Sequence, residues 1–148
     1  MLSIPEYGWT DFSIGGNEYS LSYLFFGSID WLREAVHGLK NHTPFVFHGW
    51  CEPEEIFCTV TENFCYVICT DDGKVLETHF VKMTMLDFCK ALHSDISKDT
   101  FEWAYFEYYG DEFDDTRYRE LHLQTEKIIQ SLLDELGALI KERSKHGN

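Results

Sequence analysis

The chain reads as a single α+β domain: a mostly antiparallel sheet of about six strands, covered by two or three helices, with a long C-terminal helix. Three observations lead there. At 148 residues and 44% hydrophobic content, the chain can bury one core but is short for two ordinary domains. Between residues 45 and 82, apolar residues come in short runs rich in Val, Ile, Phe, Tyr and Thr, each closed by a turn signal, which is the habit of a meander. Beyond residue 116 the period lengthens, and Leu121, Thr125, Ile128, Leu132, Leu136 and Leu139/Ile140 make one helical stripe.

Residues 9–14 and 18–24 are expected to be strands, joined at Gly15-Gly16-Asn17. Ser28 is placed to cap a helix whose apolar positions are Ile29, Leu32, Ala35/Val36 and Leu39, with Asp30 favourable in its first turn. It runs out near Asn41, before Pro44. Residues 45–50 follow as a strand, and Pro53 makes 51–54 a turn because it cannot donate to a ladder. The meander then runs through 56–61, 64–70 and 75–82, turning at Glu62-Asn63 and at 71–74. Thr84 with Asp87 resembles a capping box for a short helix over 85–93. Residues 101–109 are expected to add a strand ending at Gly110, and the long helix to run from 114 or 116 to 141.

The formal charge of −14 is spread through the body of the chain. Residues 1–73 hold eleven acids against Arg33 and Lys40, and residues 99–115 hold seven acids and no base. From 116 onward five acids meet six bases. Contacts to nucleic acid or anionic lipid need Lys and Arg, so neither is an expected partner, whereas basic proteins are. No apolar run approaches membrane-spanning length, and the first residues lack the basic and apolar regions of a secretory signal. A cytoplasmic location is therefore expected.

Catalytic motifs are missing from the sequence. It has no GxSxG elbow, P-loop, GxGxxG or HExxH. The seven histidines are dispersed, and the five cysteines include no CxxC, so no metal or cofactor is expected. Cys58, Cys65 and Cys69 lie among Val, Ile, Phe and Tyr and read as reduced, buried apolar thiols. Cys51 is three residues from His48, but nothing in the sequence supplies an orienting group for a thiol–imidazole pair. Adjacent acids in turns are normally solvated, and Asp111 to Asp115 lack the spacing of a calcium loop. An enzyme is not the expectation.

What stands out is FEWAYFEYYGDEFDD, residues 101–115, where seven aromatics alternate with carboxylates and no cation intervenes. Large flat side chains can bury area against a partner while acids steer its approach. The candidate contact residues are Glu102, Trp103, Glu107, Tyr108, Tyr109, Asp111, Glu112, Asp114 and Asp115, with Tyr105 as a further aromatic anchor. Glu52, Glu54 and Glu55 form a second candidate patch. The plain structural alternative is a half-buried strand with a wet acidic side, followed by an acidic loop.

The run Tyr23, Trp31-Leu32, Ala35 and Leu39, followed by Phe45-Val46-Phe47 and Glu52-Pro53-Glu54, resembles part of an immunity protein of contact-dependent growth inhibition systems. The resemblance implies a cytoplasmic antitoxin that binds a cognate, electropositive toxin domain, with a nuclease as the expected reaction. It carries no binding residue onto a numbered position. Two other readings stay open: an α+β enzyme or ligand-binding domain with an aromatic and histidine pocket, and a single-stranded nucleic-acid binder, against which the charge argues. The oligomeric state is not legible.

Overall fold

In chain order the elements are β1 (Trp9–Ile14), β2 (Asn17–Ser22), α1 (Ser28–Asn41), β3 (Phe45–Trp50), β4 (Glu55–Val60), β5 (Cys65–Asp71), β6 (Lys74–Val81), α2 (Met85–Ser97), α3 (Thr100–Glu107) and α4 (Asp115–His146). They are seen in a computed structural model that describes residues 1–111 and 114–146. Among the described residues the fold is α+β, with antiparallel pairing throughout and four helices, the last of them long and C-terminal.

The described residues hold six strands, but these form a two-stranded sheet, β1-β2, and a four-stranded one, β3-β4-β5-β6. The expected single sheet is interrupted at β3. Its outer edge is met by α1, where the Trp31 indole N–H donates to the His48 carbonyl at 2.8 Å. The β1-β2 hairpin instead packs across the inner face, with Leu21 against Gly49. A Cβ at Gly49 would come within 2.6 Å of Leu21 Cδ2, so glycine lets Leu21 seat directly on the β3 backbone and any side chain there would displace it. The hairpin turns at Gly15-Gly16, both left-handed, with Ile14 opposite Asn17.

Phe47 is the centre of the core. It stacks on Phe12 and on Trp31, with centroids 4.6 Å away in each case, and meets Phe88 edge-on. Trp103 of α3 reaches Trp31 edge-on at 6.0 Å. The hairpin and helices α1, α2 and α3 thereby converge on one side of β3. That inner face continues through Ile56, Cys58, Val60, Cys65, Val67 and Cys69, all buried. All five cysteines are free thiols. The hydrogen bond to Cys65 and burial push the Cys58 thiol up, and burial raises Cys89 to about 12. The opposite face of the sheet is open to solvent, and it presents Val46, His48, Trp50, Phe57, Tyr66, Ile68 and Phe80 among Glu55, Thr59, Thr70 and Thr78.

Residues 101–109 are not a strand but helix α3 with its C-cap. Asp99 caps it, its Oδ1 accepting the Glu102 N–H at 3.1 Å. The acid spacing is also wrong for a half-buried strand, since Glu102 and Glu107, five apart, would fall on opposite faces. The α2 helix extends to Ser97, beyond the expected end at 93. Along α4 the buried positions are His122, Thr125, Ile129, Leu133 and Leu136. The doubled apolar pairs Ile128-Ile129 and Leu132-Leu133 allow two neighbouring stripes, and packing selects the second residue of each pair. No helix among the described residues is long and apolar enough to cross a membrane.

Candidate functional site

Helix α3 brings together only part of the predicted contact set. Glu102, Tyr105 and Tyr109 line a groove of about 610 Å³ together with Ile4, Pro5, Glu6 and Tyr7 from the N-terminal segment. Tyr105 is the node of a tyrosine lattice, meeting Tyr108, Tyr109 and Tyr118 edge-on at 5.9, 5.5 and 6.2 Å. Burial, with Tyr118, Tyr109 and Glu102 close by, holds the Tyr105 hydroxyl above its ordinary range, so it stays a neutral donor at physiological pH. Tyr7 is 76% exposed and held at φ +51°, a left-handed conformation uncommon for a bulky residue. Neither Lys nor Arg lines this groove.

Three predicted contact residues are turned inward. Trp103 is fully buried in the aromatic core. Tyr108 is buried too, its hydroxyl bonded to His122 Nδ1, while His122 Nε2 meets Glu126 Oε1 at 3.1 Å. This Tyr–His–Glu chain ties the end of α3 to α4. Burial first, then Tyr118, raises the Tyr108 hydroxyl. Glu107 closes the N-terminus of α1: its Oε1 accepts the Ser28 hydroxyl and the Ile29 N–H, each at 2.8 Å. It is the surrogate cap of that helix, because the N-cap residue is Gly27, which has no side chain to offer. Burial raises the Glu107 carboxyl against the lowering effect of those donors.

Asp111, Asp114 and Asp115 are exposed, and Asp114 caps α4 through the Arg117 N–H at 2.8 Å. Glu112 lies outside the described residues. The second predicted patch diverges. Glu52 is exposed in the turn, Glu54 reaches the Cys69 thiol at 3.7 Å, and Glu55 turns to the open sheet face, where its Oε2 meets His48 Nε2 at 2.7 Å. His48 is thus paired with a carboxylate. Cys51 lies instead among Cys69 and Glu54, and burial raises its thiol to about 12.

Sequence reasoning missed the segment that joins these regions. Tyr23 stacks edge-on with Tyr109 at 5.1 Å, and Gly8 fits beneath both rings, where a Cβ would lie 2.5 Å from Tyr109. Two residues on, Phe25 stands 73% exposed at φ +71° and meets Trp50 edge-on at 5.4 Å. Phe26 then lies against His48 at 3.8 Å, and His48 against Phe57 at 4.2 Å. These rings border a second groove, of about 450 Å³, lined by Phe26, Asp30, Trp31, Glu34, Val46, His48 and Phe57. An aromatic band with acids beside it therefore runs from α3, across loop 23–27, to the open sheet face. The sequence signal was the run Tyr23-Leu24-Phe25-Phe26, too apolar for an ordinary connection.

Among the described residues, no three His, Cys, Asp or Glu side chains are placed to hold a metal ion. Comparison with protein-family models, curated proteins and solved structures finds no match to this chain. The functional reading therefore rests on the chemistry of the surface.

Proposed function

We propose that the protein is an acidic binding module that captures a basic protein domain through the band just described. In its specific form, it is an immunity protein whose partner is a nucleic-acid-cleaving toxin domain, held with its substrate groove blocked. The observation that carries this reading is the Tyr7, Tyr105 and Tyr109 groove, edged by Glu6 and Glu102 and free of Lys and Arg in its lining. Tyrosine buries large area at low entropic cost and keeps a hydroxyl for bonding, which suits a recognition surface. Carboxylates beside it occupy the role that phosphates play for a nuclease, attracting the same cationic cleft and speeding association. Asp111, Asp114 and Asp115 extend that field beyond Gly110 toward α4.

The test is affinity for the cognate basic domain, measured at several salt concentrations. Neutralising Glu6, Glu102, Asp111 and Asp114 as amides should weaken binding and flatten its salt dependence. Unchanged affinity and slope would refute the reading. A ligand-binding enzyme remains the second reading, favoured by the His48–Glu55 hydrogen bond beside an aromatic groove. A small-molecule screen that finds tight, saturable binding there, with no affinity for a basic domain, would prefer it.

A further inference from the structure

We propose that the groove between α1 and the open sheet face receives one arginine side chain of the partner, its guanidinium held by Asp30 and Glu34 against the Phe26–Phe57 wall. The proposal deepens the partner reading above and rests on it.

The chemistry of the lining selects the occupant. Asp30 and Glu34 are four apart on α1, so both carboxylates rise on the same side of the helix. Asp30 uses Oδ2 for the Gly27 N–H at 3.3 Å, which leaves Oδ1 for a second donor. Glu34 is exposed on the helix surface. Opposite them, the His48 ring is sandwiched between Phe26 and Phe57 with tilts of 31° and 30°, and Glu55 anchors its Nε2. His48 is therefore a fixed floor rather than a mobile counter-ion. The remaining lining, Trp31 and Val46, is apolar.

A site with π faces on one side and two carboxylates on the other matches a guanidinium. That group is planar and weakly hydrated, stacks on aromatic rings and donates in a fork to carboxylates. A lysine ammonium would satisfy the charge but gain less from the rings, because it is compact and strongly hydrated. An apolar side chain would strip water from two carboxylates without pairing them. A second copy of this chain brings its own charge of −14 and is opposed by the same acids.

The groove can be probed without the partner. The Trp31 indole N–H sits at its edge, bonded to the His48 carbonyl, and its nitrogen–proton signal can serve as the reporter. Ethylguanidinium chloride, titrated at constant ionic strength, should shift that signal along a saturable curve. Ethylammonium should bind several-fold more weakly, and Glu34→Gln should weaken ethylguanidinium by about threefold to tenfold. A shift that never saturates, or one that is identical in E34Q, overturns the proposal. With the cognate basic domain, E34Q should raise Kd by about tenfold, mostly through faster dissociation. If the wild-type protein binds that domain and E34Q binds it equally, the arginine site fails while the partner reading stands. If the wild-type protein binds no basic domain, the partner reading fails, and the claim of a partner arginine fails with it.

Discussion

Replacing Glu107 tests how an acid that looks like surface is built into the fold. Its Oε1 accepts two donors from the first turn of α1 at 2.8 Å each, and Gly27 leaves it that place, since a Cβ there would lie 2.6 Å from Oε1. Glu107→Ala strands the Ser28 hydroxyl and the Ile29 N–H where water reaches poorly. A buried donor left unpaired costs about 1–3 kcal/mol, so the pair should cost about 2–6 kcal/mol. At about 2–4 °C per kcal/mol for a chain of this size, Tm should fall by about 4–24 °C. Glu107→Gln keeps the acceptor and removes the buried charge, and should cost less than about 1 kcal/mol. The pH dependence has a definite sign. Burial raises the folded-state carboxyl above its unfolded value, so the folded protein holds that proton more tightly. Stability from this group is complete below the unfolded value and is lost as pH rises through the raised one. Measured by calorimetry from about pH 7 down to about pH 4, the wild type should therefore gain on E107Q. Equal melting of E107A and E107Q, or a difference that grows toward high pH, would refute the reasoning.

Gly27→Ala should push the Glu107 carboxylate off α1 and cost about 1–3 kcal/mol in urea unfolding, and an unchanged midpoint would show that the contact yields freely. His122→Leu should take the ring-nitrogen partner from the buried Tyr108 hydroxyl and leave it Tyr118, at about 1–3 kcal/mol, and the double variant with Tyr108→Phe should recover part of that loss. Additive losses would dissolve the Tyr–His–Glu chain as a unit. Burial holds the Cys51 and Cys89 thiols near 12, so both stay protonated through neutral pH. Alkylation of the native protein near pH 8 should be slower than in the unfolded chain by a factor on the order of ten or more, and equal rates would contradict it.

The meander and hairpins were legible because their signals are local: β-rich runs closed by Gly15-Gly16 and Asp72-Gly73, both left-handed at the turns. The division into two sheets was not, because it depends on Trp31 and Leu21 reaching β3 from distant positions. At 101–109 two local signals compete: Asp99 and Glu102 have the spacing of a helix start, while the alternation of aromatics with carboxylates suits a strand, and the helix wins. As a helix with its C-cap, the segment turns Trp103 and Tyr108 into the core and Glu107 onto α1, and leaves Glu102, Tyr105 and Tyr109 for a groove. Half of that groove comes from residues 4–7, a partnership that charge and composition do not encode. Residues 23 and 24 suit the end of a strand, yet β2 stops at Ser22, and exposed Phe25 with half-buried Tyr23 and Phe26 join the two grooves.

The most direct measurement is inhibition of the nucleic-acid-cleaving domain that we propose as the partner. With the purified cognate domain and its nucleic-acid substrate, equimolar protein should abolish cleavage. Tyr105→Ala with Tyr109→Ala should relieve that block without unfolding the chain. Full cleavage in the presence of excess wild-type protein would contradict the account.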